Sequence, residues 1–304
     1  MNIPVFLSAD DNYAPFVATT IASICDNTES FVDFYILDGG ISEENQEKIC
    51  ELKKIFSNFS IEFIQINPEK EFSSINYSNV DYISISTYNR FLIPKLKPEL
   101  GKVLYLDVDI VVLGNIEELY NVDLENYALG AAWDESRVLY NTDTKDLMDL
   151  SDNYKYFNAG ILLIDIQKWN NDKIVERLFE IEKEYGKNVL HADETLLNKY
   201  FDSNYKIFDI EFNYTDYDVF NSPNKKPKIR HFASAIKPWN ANFLLRNKVL
   251  MPLPNYIDFW KYAKMTAFYE KIHETYKKEI GSSFIKQRMN KLVEKTLKRS
   301  CINE

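Results

Sequence analysis

Glycine is scarce in this chain, with eight in 304 residues. None falls in a Gly-x-Gly-x-x-Gly or Gly-x-x-x-x-Gly-Lys-Ser/Thr pattern. Loops that wrap a phosphate in backbone amides need glycine at such offsets, so neither a dinucleotide dehydrogenase nor a P-loop NTPase is expected. Cysteine is scarcer still. Cys25, Cys50 and Cys301 lie far apart, give neither a disulfide framework nor a zinc pattern, and suit a reducing, cytoplasmic setting. No run of about 18 apolar residues is present, and Met1-Asn2-Ile3-Pro4 lacks the basic start and apolar stretch of a signal peptide. Neither an internal repeat nor a low-complexity segment occurs. Basic residues are outnumbered, 36 Lys plus Arg against 46 Asp plus Glu. A net charge of −10 argues against nucleic-acid binding by the main body.

What is present is the material of a large core. Forty residues are Phe or Tyr and 45% are apolar, which places the chain among folded globular proteins. Its length allows one big α/β domain with an extension, or two smaller domains. The charge is uneven: residues 261–304 hold 11 Lys plus Arg against 5 Asp plus Glu, leaving the first 260 residues more acidic than the whole.

Ile3 to Ala9 reads as a first strand, followed by the polar cluster Ser8-Ala9-Asp10-Asp11-Asn12-Tyr13. Pro15 then opens a helix with Phe16, Val17, Ile21 and Ile24 at helical spacing. Phe31 to Leu37 is a second strand, Asp38-Gly39-Gly40 a turn, and Ser42-Glu43-Glu44 the capped, acidic start of a second helix. Ile61 to Ile66 is a third strand. This βαβαβ rhythm predicts a parallel sheet covered by helices, with ligands beyond the carboxyl ends of its strands. Further on, 81–92 and 169–185 read as helices, and 127–133, 156–164, 207–213 and 228–232 as strands. Residues 138–153 are too polar and irregular to assign.

Within this order, Lys102 to Val112 reads as one buried strand carrying two carboxylates. Side chains alternate along a strand, so Asp107 and Asp109 would face one way, roughly 6–7 Å apart. Like charges that close call for a cation, and Mn²⁺ or Mg²⁺ takes oxygen ligands while leaving positions for phosphates. The plainer alternative is a turn former or helix cap. His231, one of only three histidines, would complete a Mn²⁺ site as a neutral imidazole, or be a satisfied core residue. Lys237 could neutralise a phosphate. Asp193 and Glu194 sit where a helix starts and read as capping acids.

Five stretches taken together resemble the motifs of glycosyltransferase family 8. They are Ala9-Asp10-Asp11-Asn12-Tyr13, Ser86-Thr87-Tyr88-Asn89-Arg90, Leu104 to Asp109, Phe157-Asn158-Ala159-Gly160, and His231 to Trp239 with Lys237-Pro238. The resemblance covers about Ile3 to Trp239. It implies a GT-A fold, a Rossmann-like mixed sheet flanked by helices. It also implies a UDP-sugar donor (UDP-galactose or UDP-glucose), Mn²⁺, and transfer of the hexose with retention to a saccharide or glycolipid acceptor. By position, Asp107, Asp109 and His231 would hold the metal. The nucleotide sugar would meet Ser8, Ala9, Asp10, Asn12, Tyr13, Arg90, Val108, Asn158, Ala159, Ser234 and Lys237. Arg90, Asp107, Asp193 and Glu194 would serve catalysis.

Two positions depart from the family pattern. Ser234 stands where the motif has glycine, so it crowds the diphosphate or donates its own hydroxyl. Glu194 stands where relatives carry glutamine, and a carboxylate there is a competent nucleophile for a covalent route or a fixed substrate-binding acid. A sugar-nucleotide hydrolase, a transferase to a protein hydroxyl, and a non-catalytic nucleotide-sugar-binding module remain as alternatives.

After Pro252-Leu253-Pro254 the character changes, which divides the chain into a catalytic domain, 1–250, and a helical, basic, amphipathic extension, 251–304. Ile285, Met289, Leu292, Val293 and Thr296 trace one helical face, with Lys286, Lys291, Lys295, Lys298 and Arg299 on the others. That pattern suits the surface of an anionic membrane, or packing on the acidic body.

Overall fold

The computed structural model describes residues 2–72, 85–136, 142–234, 237–240, 243–246, 249–252 and 256–281. Its frame is a seven-stranded sheet in the order β3-β2-β1-β4-β7-β6-β8. The strands are β1 (Asn2–Ala9), β2 (Phe31–Asp38), β3 (Phe59–Gln65), β4 (Lys102–Leu106), β6 (Leu129–Trp133), β7 (Phe157–Asp165) and β8 (Lys206–Phe208). β1, β2, β3 and β4 run parallel, as the βαβαβ rhythm predicts. β7 enters antiparallel beside β4 and β6 beside β7, which makes the sheet mixed.

Ile3, Val5, Phe6 and Leu7 of β1 are all fully buried. Both faces of the sheet are therefore covered, the condition under which parallel strands become continuous apolar runs. One core packs beneath α1 (Ala14–Asn27), α2 (Glu43–Cys50) and, from the end of the chain, α6 (Tyr256–Ala263) and α7 (Tyr269–Gly281). The other packs beneath α3 (Ile166–Asn171), α4 (Ile174–Tyr185) and α5 (Ala192–Phe201). Phe259, Tyr262, Phe268 and Ile272 are buried, so the start of the C-terminal segment is part of the first core. Tyr262 Oη accepts a hydrogen bond from Asn27 Nδ2 at 2.7 Å, and Lys261 pairs with Asp26 at 2.8 Å. The basic stretch 285–299 lies outside the described residues, and no described helix is long and apolar enough to cross a membrane.

The run 102–112 is not one strand. β4 ends at Leu106, and Ile110–Val112 forms β5, which leaves the large sheet to pair antiparallel with β9 (Ile229–His231). Alternation therefore does not set the two carboxylates; they flank Val108 in a bend. The bend survives because its backbone groups find side chains. Thr20 Oγ1 donates to the carbonyls of Val108 and Ile110 at 3.1 and 3.2 Å, and Ser23 Oγ accepts from Val112 N–H at 2.9 Å. Asn27 Nδ2 reaches Val112 O at 3.0 Å. Thr20, Ser23 and Asn27 recur at helical spacing on α1, so a polar row on that helix takes the place of a neighbouring strand.

Other boundaries move for local reasons. The expected helix over 169–185 is two, α3 and α4, broken where Lys173 adopts φ +51°. Ile85–Leu92 is a 3₁₀ helix, and the remainder of the segment expected to be helical lies outside the described residues. The expected strand 207–213 divides into β8 and a 3₁₀ turn, Ile210–Phe212, capped by Asp209. Thr142–Leu147, in the unassigned stretch, is a short helix. Ser42 does cap α2, accepting from Asn45 N–H.

Candidate active site

β5 and β9 bring the distant acids and imidazole together. Their register sets Ile110 opposite His231, which places Asp109 beside that ring. His231 Nε2 lies 3.2 Å from Asp109 Oδ1 and 3.9 Å from Asp107 Oδ2. Lys237 Nζ lies 2.6 Å from Asp109 Oδ2 and donates to Phe232 O. Burial would raise the Asp109 carboxyl pKa, but the Lys237 ammonium and His231 outweigh it and hold that group well below the ordinary carboxylate range. The lysine follows the same logic with opposite sign: burial would lower its pKa, and Asp109 carries it upward instead.

Arg90 is the second focus. It is buried, with NH2 3.1 Å from Asp107 Oδ1 and Nε 2.9 Å from Asp193 Oδ2. The Nε–H donates to Thr87 O at 3.0 Å and NH1 donates to Ala159 O, and the guanidinium lies over the Tyr105 ring at 4.3 Å. Tyr105 Oη donates to Asp107 Oδ1 at 2.8 Å. Asp193 has its pKa pushed up to about 6 by burial, with Arg90 pulling the other way.

α5 begins at Ala192, whose left-handed backbone, φ +47°, turns Asp193 and Glu194 into the cleft. Glu194 Oε2 accepts from Asn158 Nδ2 and from Ala159 N–H, both at 3.1 Å. Glycine at 160 is required by close approach, since a Cβ there would collide with His231 Cε1 and stand 2.7 Å from Asp107 Oδ2.

The loop after β1 is shaped by its own acids. Asp10 Oδ1 accepts the amides of Asn12 and Tyr13 at 3.0 and 3.1 Å. Asp11 Oδ1 accepts from Ser42 N–H, Ser42 Oγ and Asn45 Nδ2, all within 2.8 Å, tying the loop to α2. Tyr13 is left half-exposed at 43%, edge-on to Phe16, which stacks on Trp239 at 3.8 Å.

These groups line one cavity of about 750 Å³ at the carboxyl ends of β1 and β4. That volume is within the usual range for a small-molecule site. Every expected site residue lines it except Asn12, which is exposed outside. The sequence did not single out Tyr105, Asp134, Ser136, His191, Thr215, Asp216 and Tyr217, which also line it. Nor did it single out Asn213, buried behind the His231 ring, with Oδ1 2.8 Å from Nδ1. The motifs at Ser86–Arg90 and Leu104–Asp109 already carried Thr87 and Tyr105; the others sit at or beside element ends without a sequence signal. Ser234 Oγ donates to Asp216 Oδ2 at 2.8 Å, and Asp216 pairs with the fully buried Arg230.

Asp107, Asp109 and His231 offer ligand atoms within 4.8 Å of one another. Two carboxylates and an imidazole suit Mn²⁺ well and Mg²⁺ less well. Lys237 and Arg90 already offset part of the repulsion between these acids, and it is the donor set itself, two carboxylates and an imidazole converging on one point, that fits a divalent cation.

The fold and this cleft define a GT-A-type glycosyltransferase. Residues 4–242 match the Glycosyl transferase family 8, and the chain belongs to that family. A Haemophilus influenzae protein provisionally named as a glycosyltransferase is 32% identical over 266 residues, covering 84% of this chain and 79% of that one. The lipopolysaccharide 1,2-glucosyltransferase of Escherichia coli is 26% identical over 252 residues, covering 77% and 73%. Among solved structures, the galactosyltransferase LgtC in complex with donor and acceptor sugar analogs superposes with a TM-score of 0.75 at 27% identity. That match covers 87% of this chain and 96% of LgtC.

Proposed function

We propose that the protein is a retaining hexosyltransferase that moves galactose or glucose from a UDP-sugar to a saccharide, with Mn²⁺ held by Asp107, Asp109 and His231. The observation that carries this reading is the convergence of those three side chains with Lys237 in the cleft of a family 8 chain. A bound divalent cation supplies Lewis-acid stabilisation of the diphosphate leaving group.

The protein's own side chains do the rest. Tyr13 offers an aromatic face to the uracil, and the Asp10-shaped loop, with Ser8, Ala9 and Val108, surrounds the ribose. Lys237 places a fixed positive charge where negative charge gathers on the β-phosphate. Arg90 holds Asp107 and Asp193 in place beside the sugar, and Asn158 and Ala159 meet its hydroxyls. Ser234, turned toward Asp216, leaves the phosphate path rather than crowding it.

On the sugar side, the oxocarbenium-like state is stabilised by nearby carboxylates. Glu194 has one oxygen held by two hydrogen bonds, a geometry that favours a fixed electrostatic partner over a mobile nucleophile. Mass spectrometry of enzyme quenched with donor and a slow acceptor separates these roles. A glycosyl adduct lost in Glu194→Gln would restore the covalent route.

The acceptor is proposed to be a surface glycan or glycolipid. The name of the E. coli relative supports this, and a basic segment at 285–299 fits peripheral attachment to an anionic membrane from the cytoplasmic side. A thermal-shift screen of nucleotide sugars with Mn²⁺ tests the central claim, because a ligand that binds the folded state raises apparent stability by mass action. No shift with any UDP-sugar, and no donor consumption with or without added glycans, would overturn it.

A further inference from the structure

We propose that Asn213 is a positioning residue that fixes which nitrogen of His231 carries the proton, so that Nε2 presents its lone pair to the cation. This rests on the metal-dependent reading above.

The chain of hydrogen bonds begins at a donor that has no choice. A backbone N–H can only donate, and Gly160 N–H points at Asn158 Oδ1 at 3.0 Å. That sets the Asn158 amide: its oxygen faces Gly160, and its Nδ2 faces Glu194 Oε2. The same Asn158 oxygen lies 3.2 Å from the Asn213 side chain, so Asn213 must present Nδ2 there. Its own oxygen is then turned to His231 Nδ1 at 2.8 Å. An amide oxygen only accepts, so Nδ1 carries a proton, and Nε2, which faces Asp109 and Asp107, is the nitrogen left to offer its lone pair to a cation held between those acids.

The relay is dry and held in register. Asn158, Asn213 and His231 are 6%, 4% and 2% exposed, leaving little room for water to substitute for a lost partner. Tyr214 N–H donates to Ile229 O at 3.0 Å and His231 N–H to Tyr214 O at 3.0 Å, which keeps Asn213 level with the ring. One hydrogen-bond chain thus joins Glu194, on the sugar side, to His231, on the cation side. Partners behind a ligating histidine fix its tautomer and orientation, and losing one weakens metal binding by about 10–100-fold.

The test uses the whole protein with Mn²⁺ and Mg²⁺ as probes. Mn²⁺ titrations in the presence of UDP, followed by electron paramagnetic resonance, should show Asn213→Leu binding about 10–100-fold more weakly than wild type. Asn213→Asp, which still accepts from Nδ1–H, should recover most of that loss. With three histidines in the chain, ¹⁵N-histidine spectra of the Mg²⁺–UDP form can be assigned by substitution. Wild-type His231 should carry its proton on Nδ1 in this form and also in the metal-free protein with a neutral ring, where no cation imposes that tautomer and a merely structural role for Asn213 would not set it. A proton on Nε2 in the wild type, or equal Mn²⁺ affinity in wild type and Asn213→Leu, overturns the inference. If Asn213→Leu does not fold, the wild-type spectrum and Asn213→Asp decide alone. Failure of the wild type itself to bind Mn²⁺ would instead remove the metal-dependent reading, and this inference with it.

Discussion

Arg90 and Asp193 form an ion pair at 2.9 Å with both side chains almost sealed from solvent, at 6% and 5% exposure. A buried acid next to a guanidinium would ordinarily titrate low, yet here burial dominates and Asp193 titrates at about 6. Arg90 also serves Asp107, so one cation is divided between two carboxylates.

A pH dependence of stability follows. An acid whose pKa rises on folding binds its proton more tightly in the folded state. Stability is therefore greatest below the ordinary carboxylate pKa and falls as pH rises from about 4 to about 6. The expected loss from this group is on the order of 2–3 kcal/mol. Metal-free Asp193→Asn should show a flatter profile over that window in urea unfolding. Arg90→Met should shift the fall to higher pH, since the carboxylate would lose its partner. An unchanged profile in Asp193→Asn would show that Asp193 does not titrate there.

Gly160→Ala tests the closeness of β7 to the metal ligands. The added methyl has to displace the His231 ring or the Asp107 carboxylate. Overpacking of this kind costs about 1–3 kcal/mol. Thermal unfolding should register that cost, and Mn²⁺ affinity should fall together with transfer. Wild-type Mn²⁺ affinity in this variant would contradict the geometry.

Removal of the metal should abolish transfer reversibly. Chelation should stop product formation and added Mn²⁺ should restore it, whereas Asp109→Asn should resist rescue because it also removes the partner of Lys237. Activity that persists through exhaustive chelation, measured by product chromatography, would count against a metal-assisted departure.

Lys237→Met should lower kcat about 10²–10³-fold, the scale of losing one charge-stabilising donor in a transition state. Donor KM should change less, because the developing charge on the leaving group is what the ammonium meets. Steady-state kinetics in Mn²⁺ give the split; a pure KM effect would assign the lysine to ground-state binding.

Deletion of residues 283–304 should reduce flotation with anionic liposomes and leave transfer to a soluble glycan unchanged. Equal flotation of full-length and shortened chains would assign the basic segment another task.

The parts of this architecture that repeat were readable from the chain. β1, β2, β3, α1 and the Ser42 cap declare themselves through spacing and capping residues, because each depends on contacts within or beside a continuous segment. The five motifs, taken in order, pointed to the family. The split at Leu106 was not readable, since what ends β4 is a row of hydroxyl and amide groups on α1, some 80–90 residues away in sequence. Asn213 was hidden for a similar reason: its role comes from the pairing of 214 with 230. Asp10 reads in the sequence as a binding acid and does line the cavity, yet one of its oxygens holds its own loop, while Asp11, not singled out, ties that loop to α2. Only placement in space separates those two uses of one side chain.

The polar row on α1 has a geometric result. Tyr13 stands at the head of this helix and Thr20, two turns along, clasps the bend bearing both acids. At about 1.5 Å per residue the helix sets roughly 10 Å between Tyr13 and the bend that bears Asp107 and Asp109. Under the proposed function a nucleoside diphosphate would have to match that span, its reach dimensioned by a rigid rod rather than by the loops around it.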